Sequence, residues 1–161
     1  MTPASSLVAQ AARTTVASLF RHRARAFKDR VALMDGARQL HYGELDERSD
    51  RLARALAAKG VKRGDRIALL ARNCAEYIEV ELGCAKLGAI AAALNWRLSA
   101  RELAHSVNLV QPRVLIHQPE YADVLARLDL APHARIVLDR SYEALLASSV
   151  GGAPDEKAEP E

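Results

Sequence analysis

The sequence predicts an α/β fold in which a largely parallel sheet is flanked by helices. From Arg30 onward, short apolar segments alternate with longer segments whose apolar residues recur every three or four positions. Such alternation is typical of βα units, which place successive strands parallel to one another. Four strand-like segments are apolar at nearly every position, as expected when helices cover both faces of a sheet. These segments lie at 66–71, 89–94, 113–117 and 135–138.

The first predicted helix lies within an N-terminal region that has no acidic residue. Residues 1–28 contain basic and hydroxyl side chains but no carboxylate, a composition shared by transit peptides. The alternative is a flexible terminus at 1–14 followed by an amphipathic helix. The inward face of that helix would contain Val16, Leu19, Phe20, Arg23, Ala24 and Phe27.

Two helices with glycine stops follow a small hairpin that is predicted between Val31 and His41. The first helix is expected from Tyr42 to Lys59, and the second is expected to run from an Asn73 cap to Leu87. Gly60 and Gly88 end these helices, because glycine adopts the left-handed cap conformation without a steric penalty. The apolar face of the first helix contains Leu45, Ser49, Leu52, Ala55 and Leu56. Its polar residues are predicted to lie outside that face, and they include Asp46, Arg48, Asp50, Arg51 and Arg54.

The second half of the chain continues the alternation. Ser99 and Glu102 form a predicted capping box, which opens a helix that ends before Gln111 and Pro112. Two further helices are expected, at 119–128 and 141–148. The predicted domain organisation is therefore a flexible terminus at 1–14, an α/β segment at 15–150 and a polar linker at 151–161.

Composition excludes several classes of protein. The chain has 161 residues, of which 50% are hydrophobic and 27% charged, as in globular rather than disordered proteins. No apolar run approaches the ~18 residues of a membrane-spanning helix. A net charge of +3 and an aromatic content of 4% disfavour a nucleic-acid-binding surface, so no nucleic acid is expected as a partner. Two cysteines are too few for a disulfide scaffold.

The sequence contains only weak patterns of catalytic or binding motifs. The segment Gly151–Lys157 has two glycines and a lysine, but its two adjacent carboxylates oppose a phosphate cradle. Cys84 is expected to be a small core residue. A catalytic cysteine needs a base to activate it, and the sequence offers no clear candidate for that base. Ser99 with His105 is a conceivable nucleophile and base, yet helix capping is the simpler role for Ser99. No histidine or cysteine pair has the spacing of metal ligands.

Glu81 is the unusual acidic residue of the chain. It lies four residues after Tyr77 and three before Cys84, which places it on an otherwise apolar helical stripe. One interpretation is a buried carboxylate in a pocket, with a raised pKa. The other is an exposed helix edge, or an ion pair with one of the many arginines.

Between about residues 15 and 150 the sequence resembles the N-terminal part of the adenylate-forming, AMP-binding superfamily. Among its members, acid–CoA ligases of the fatty-acyl-CoA synthetase type are the most similar. The resemblance depends on short motifs in a shared order and spacing. These motifs are Leu40–Leu45, Gly60–Asp65, Asn73 with Glu76, Lys86–Ala89, Leu94-Asn95 and Arg97-Leu98.

Three residues depart from the family pattern. His41 replaces the usual threonine, which weakens the expected cap of the helix that follows it. Ala93 replaces a common proline, and Glu81 replaces an apolar residue. These departures concern local packing rather than the chemistry of the family.

The resemblance implies an ATP-dependent ligase that activates a carboxylic acid, expected to be a fatty acid, as an acyl-adenylate and transfers the acyl group to CoA. ATP, Mg²⁺ and CoA are therefore the expected cofactors of the complete enzyme, and the cytoplasm is its expected location. The family's phosphate-binding loop and catalytic lysine have no counterpart in this chain. No catalytic, cofactor-binding or metal-binding residue is assigned, and the chain alone is expected to be inactive. The alternative is a truncated, non-catalytic relative that acts as an interaction or regulatory module, and a homo-oligomer is possible.

Overall fold

A computed structural model describes residues 14–130, 134–149 and 151. The predicted flexible terminus at 1–14 and the predicted linker at 151–161 therefore lie outside the described residues, except for Thr14 and Gly151. The helices and strands are, in chain order, α1 (Val16–Ala26), β1 (Val31–Asp35), β2 (Arg38–His41), α2 (Tyr42–Ala58), β3 (Arg66–Leu70), α3 (Ala75–Leu87), β4 (Ile90–Ala93), α4 (Ala100–Val110), β5 (Val114–His117), α5 (Ala122–Ala126), β6 (Ala134–Val137) and α6 (Arg140–Ser148). A single 3₁₀ turn, Pro119–Tyr121, leads into α5.

Four strands form one parallel sheet in the order β4-β3-β5-β6, and β1 and β2 form a separate antiparallel hairpin. The chain passes from β3 outward to β4 and then returns to β5 on the opposite side of β3. The direction of winding therefore reverses between β3 and β5, as it does in doubly wound sheets. The predicted α/β fold with a parallel sheet is confirmed.

Two apolar clusters cover the two faces of the sheet. One face packs against α2, α3 and α6 through a cluster that includes Leu52, Leu56, Ile67, Leu69, Val80, Cys84, Ile116, Tyr142 and Leu146. The other face packs against α4 and α5 through Ala68, Leu70, Leu94, Leu103, Val107, Leu115 and Leu125. A third cluster joins the hairpin to α2 and α3, with Leu40, Leu45, Ala75 and Leu82 buried. The result is a three-layer αβα arrangement with the hairpin and α1 packed outside the α2–α3 layer.

The two outer strands are less covered than predicted. All four residues of β5 are buried, and so are Ile67–Leu70 of β3. In β4, however, Ile90 is 52% exposed and only Ala92 is partly covered, and β6 begins with two exposed residues. The prediction of cover on both faces is therefore wrong for β4 and β6, because they lie at the ends of the sheet. Formation of a homo-oligomer, for which this open edge offers a surface, stays a prediction.

Helix α1 confirms an amphipathic helix, but its inward face is rotated from the predicted one. Val16 and Leu19 are 67% and 61% exposed, whereas Ala24 is buried and Phe20 is half-buried. Phe20 lies 6.0 Å from the Tyr42 ring, measured between centroids. Arg21 joins the same face by pairing with Asp50 of α2, at 3.6 Å. An ion pair to a distant residue therefore helps to set the rotation of this helix.

The helix N-caps show which sequence motifs correctly predict the capping residue. The capping box of Ser99 and Glu102 is present as predicted. Asn73 is not the cap of α3, because the N-cap residue is Cys74 and its side chain makes no capping hydrogen bond. Instead, Asp35 of the hairpin accepts a hydrogen bond from the Ala75 backbone N–H at 2.9 Å. His41 makes no side-chain cap, as its residue type predicts.

Replacing Gly88 with valine is expected to lower the free energy of unfolding by ~1–3 kcal/mol. Gly88 has φ of +73°, and a Cβ there would lie 3.1 Å from Arg63 Cγ. Urea unfolding measures the loss, with Gly88→Asn as the matched control. Asparagine meets the same contact but tolerates positive φ, so its loss should be clearly smaller. Equal losses in both variants would show that backbone strain is not the cause.

Candidate functional site

The carboxyl ends of the parallel strands bring a set of polar loops to one edge of the sheet. In doubly wound sheets this edge binds ligands, especially where the winding direction reverses. Here the reversal lies between β3 and β5, so the loops after these strands are the relevant ones. Arg72 follows β3 and Gln118 follows β5, while Trp96 and Arg97 follow the neighbouring strand β4.

Gln118 joins the two loops at the reversal. Its side-chain oxygen accepts a hydrogen bond from the Arg72 backbone N–H at 2.7 Å. Its own backbone N–H donates to the Leu70 carbonyl at 3.1 Å. The segment from Leu70 to Arg72 is therefore held to the loop after β5 at two points, which fixes the backbone position of Arg72.

Two arginines lie against the same indole ring at this edge. Arg72 Cζ lies 4.7 Å from the Trp96 ring centroid, and Arg97 Cζ lies 4.0 Å from the same centroid. Both distances are within the range of cation–π attraction. Trp96 is itself half-buried against the α4–α5 face of the sheet. The anchored ring therefore holds two exposed guanidinium groups close together.

The turn after β4 fixes the direction of Arg97. Asn95 Oδ1 accepts a hydrogen bond from the Arg97 backbone N–H at 3.0 Å, and the Asn95 carbonyl accepts from the Leu98 N–H at 3.2 Å. This arrangement is an asparagine-initiated turn. The Asn95–Leu98 segment is therefore ordered by its own sequence, which also contains part of the family motif.

The cluster of Arg72, Trp96 and Arg97 is suited to binding rather than to proton transfer. Two guanidinium groups provide directed N–H donors for a phosphate or carboxylate, and the ring offers an apolar surface for a planar group. His117, the nearby titratable residue on β5, is buried and its Nδ1 lies 2.8 Å from the Gln118 carbonyl. Because a carbonyl only accepts, Nδ1 must carry the proton. The histidine is therefore committed to the backbone of the loop.

Sequence reasoning missed this cluster, although a signal was present. Arg72 comes directly after one predicted strand, and Trp96 and Arg97 come directly after the next. Parallel neighbouring strands bring such positions together at one edge. The only tryptophan of an aromatic-poor chain stands beside an arginine there.

The buried carboxylate of α3 is Glu79, not Glu81. Glu81 is exposed at the rim of a cavity of ≈ 440 Å³ between the hairpin and α3. Glu79 is 0% exposed, and its carboxylate accepts hydrogen bonds from Arg48 at 2.6 and 3.2 Å. The buried interpretation is therefore wrong for Glu81, and its exposed-edge alternative is correct. The helix is rotated because two layers, the hairpin and α2, pack against it.

Glu79 belongs to a network of charged and polar groups that joins three helices. Tyr142 of α6 donates to Glu79 at 2.7 Å, and Arg48 of α2 also donates to Glu143 of α6 at 2.6 and 2.9 Å. The hydrogen bonds to Glu143 raise the pKa of Arg48, and those from Arg48 lower the pKa of Glu143. Burial raises the pKa of Tyr142. Arg38 of β2 extends this network, since its Nη2 lies 3.8 Å from Glu79 Oε1. The network of Glu79, Arg48, Tyr142 and Glu143 pairs its charges with one another and with this arginine, which is typical of a structural role.

Neither cysteine is an activated nucleophile. Burial raises the pKa of the Cys74 thiol to about 11 and that of the Cys84 thiol to about 12. Both groups are therefore protonated at neutral pH, whereas a catalytic cysteine needs its thiolate. Cys84 is 1% exposed, which confirms it as a core residue.

The remaining sequence candidates have no catalytic arrangement. Ser99 donates to Glu102 Oε2 at 2.6 Å as part of its cap, and His105 is exposed on α4. The segment Gly151–Lys157 lies outside the described residues after Gly151. No group of three or more His, Cys, Asp or Glu in the described part of the chain is placed to hold a metal ion. None of the described helices has both the length and the apolar character needed to cross a bilayer.

Two named relatives match much of the chain. A fatty acid–[acyl-carrier-protein] ligase of Streptomyces coeruleorubidus is 36% identical over 124 residues, which is 76% of this chain and 24% of that protein. A feruloyl-CoA synthase of an Amycolatopsis species is 42% identical over 106 residues, which is 66% of this chain and 22% of that protein. The chain thus spans about a quarter of the length of these relatives.

The fold leads to the same group of proteins. A fatty acyl-CoA synthetase of Mycobacterium tuberculosis superposes with a TM-score of 0.81 and 27% identity, over 89% of this chain and 30% of that one. The family of AMP-binding enzymes matches residues 20–160. Because this match covers most of the chain and agrees with the relatives and the fold, the chain belongs to the AMP-binding enzyme family.

Proposed function

We propose that this chain forms the N-terminal part of an ATP-dependent, AMP-forming acid–CoA ligase, with a fatty acid as its carboxylic acid substrate. The proposal is carried by the match to relatives whose names describe ligation of a fatty acid or a ferulic acid to a thiol-bearing carrier. The shared fold over 89% of the chain supports it. The cytoplasm is the proposed location, because ATP and CoA are available there.

The reaction explains why positive charge is needed near the ligand edge. A carboxylate is a poor electrophile, so it first attacks ATP, which releases pyrophosphate and leaves the acyl group bonded to AMP. The thiol of CoA then displaces AMP and takes the acyl group as a thioester. Both cosubstrates carry phosphate groups, and preorganised cations stabilise them. The cluster of Arg72, Trp96 and Arg97 fits such a group, because its guanidinium groups are exposed and its ring is anchored. We assign it to binding a phosphate of ATP or CoA.

The chain's own residues supply binding and support, not the complete chemistry. No residue matches the family's phosphate-binding loop or its catalytic lysine, and the described residues provide no cluster that fits Mg²⁺. Adenylation is therefore proposed for a longer protein that contains this chain. The Glu79 network has the role of holding α2, α3 and α6 behind the sheet.

The test is an activity assay on the longest reading frame that contains these residues. ATP, Mg²⁺, CoA and a panel of fatty and aromatic acids should give acid-dependent pyrophosphate and acyl-CoA. Arg97→Gln should raise the KM for ATP or CoA by about fivefold or more, which corresponds to loss of a charged hydrogen bond. Arg101→Gln, an exposed arginine on α4 outside the cluster, is the matched control and should leave both KM values unchanged.

The 161-residue chain itself should neither release pyrophosphate nor form acyl-CoA. Turnover by this chain alone would contradict the proposal that adenylation requires a longer protein. Lack of activity in the longest reading frame, with any acid of the panel, would instead favour the non-catalytic interaction module. If Arg97→Gln and Arg101→Gln changed the KM values for ATP and CoA equally, the cluster of Arg72, Trp96 and Arg97 would not be the phosphate-binding site.

A further inference from the structure

A second basic site lies at the opposite edge of the sheet, where β3, β5 and β6 begin. It is a cleft of ≈ 630 Å³, here called the amino-end cleft, and its lining includes Lys59, Asp65, Arg66, Gln111, Arg113 and Ala134. The cluster of Arg72, Trp96 and Arg97 lies at the carboxyl ends of the strands. The two basic sites are therefore separated by the length of the strands.

The charge of the amino-end cleft is predominantly positive. Lys59, Arg66 and Arg113 carry three positive charges, against one carboxylate on Asp65. Asp65 Oδ2 already accepts a hydrogen bond from the Lys62 backbone N–H at 2.8 Å, so this oxygen holds the loop together. The lining is consequently suited to an anion rather than to a cation or an apolar molecule.

Arg66 gives the cleft a fixed wall. Its Nε donates to the Val110 carbonyl at 3.1 Å, and its Nη2 donates to the Gln111 carbonyl at 3.0 Å. These carbonyls end α4, and Gln111 turns them toward the arginine by adopting a left-handed conformation with φ of +49°. The strained residue is thus part of the wall, and the guanidinium is held before any ligand arrives.

The other two cations have no internal role that the structure shows. Within residues 14–130, 134–149 and 151, no hydrogen bond or ion pair involves the Lys59 ammonium or the Arg113 guanidinium group. Both residues are exposed at the cleft. Gly60 lets Arg113 lie against the loop, because a Cβ at this position would be 3.0 Å from Arg113 Nη2. One cation is therefore anchored and two are available to a ligand.

We propose that the amino-end cleft binds a small anion that carries a phosphate or pyrophosphate group. Arginine offers paired N–H donors that match phosphate oxygens, and lysine adds a compact charge. A concave site with convergent cations favours a small anion over an extended chain. The site lies beyond the proposed ligase function, because it is at the other edge of the sheet and uses other residues.

The test is isothermal titration calorimetry of the 161-residue chain, with inorganic pyrophosphate and, in a separate titration, with inorganic phosphate. Pyrophosphate is expected to bind more tightly than phosphate, because it carries more charge over a greater length. Arg113→Gln and Lys59→Gln should each weaken pyrophosphate binding by about fivefold or more. Lys59→Gln keeps the test decisive if Arg113→Gln does not fold, since Lys59 makes no internal bond.

A control variant identifies the site. Arg101→Gln removes an exposed cation from α4, outside both basic sites, and should leave the affinity within about twofold. Failure to bind pyrophosphate at roughly 10 mM would overturn the proposal. A greater loss from Arg97→Gln than from Arg113→Gln would also overturn it, because the anion would then bind at the carboxyl edge.

Discussion

Replacing Arg48 with methionine is expected to lower the free energy of unfolding by ~3–5 kcal/mol, the largest single loss that the structure predicts. Arg48 makes two hydrogen bonds to Glu79, which is 0% exposed. Without the Arg48 guanidinium, Glu79 keeps the hydroxyl of Tyr142 as a hydrogen-bond donor, and its remaining cation, Arg38 Nη2, lies 3.8 Å away. A buried charge that loses its closest counter-ion costs far more than the pair contributes. Urea unfolding followed by circular dichroism measures the loss.

The matched control is Arg51→Met, one turn further along α2. Arg51 pairs with Glu47 on the surface, four residues before it, and such exposed pairs contribute about 0.5 kcal/mol or less. The double variant Arg48→Met/Glu79→Gln should recover much of the loss, because the amide has no charge and still accepts from Tyr142. If Arg48→Met cost no more than Arg51→Met, Glu79 would not be an effectively buried charge.

Glu143 adds a pH dependence to the same experiment. Its hydrogen bonds with Arg48 hold its pKa below the ordinary value. The ion pair of Glu143 with Arg48 therefore stabilises the folded protein fully above the pKa of Glu143 in the unfolded chain, which is about 4.3. This stabilisation disappears as the pH falls through the lower pKa of Glu143 in the folded protein. Arg48→Met should remove this part of the acid sensitivity. A series of urea unfolding curves between neutral and acidic pH measures it.

The central sheet could be predicted from sequence because its signal is local. Continuous apolar segments at β3 and β5 are distinctive, and these strands are buried along their length. The outer strand β4 has a similarly apolar segment, but Ala91–Ala93 would have the same composition at the edge of a sheet or at its centre. Strand order decides between these positions, and it depends on contacts between residues that are far apart in sequence.

The polar interior could not be predicted from periodicity alone. Helical periodicity predicts that Arg48 lies outside the apolar face of α2. In the structure, α3 and α6 pack against this side of α2, and Arg48 donates hydrogen bonds to Glu79 and Glu143. Asp35 caps α3 from a hairpin 40 residues earlier, where no local pattern indicates the contact. The cluster of Arg72, Trp96 and Arg97 likewise depends on the contact between two loops, one after β3 and one after β4. Each of these features requires the tertiary arrangement first.

Lys86→Met is expected to lower the free energy of unfolding by ~2–4 kcal/mol, the second-largest loss. The side chain of Lys86 on α3 is 0% exposed, although it ends in a charge. Its Nζ donates to Asp46 Oδ1 at 2.6 Å and to the Asp46 carbonyl at 2.7 Å, and it lies 2.7 Å from Asp50 Oδ1. Methionine fills a similar volume but leaves two carboxylates of α2 facing each other without this cation.

Two comparisons separate this electrostatic cause from simple misfolding. Lys62→Met removes an exposed lysine of the loop before β3 and should change the unfolding free energy by about 0.5 kcal/mol or less. The double variant Lys86→Met/Asp46→Asn should recover part of the loss, because the amide removes one of the two facing charges. A double variant as unstable as Lys86→Met would mean that lost packing, not unpaired charge, destabilises the protein.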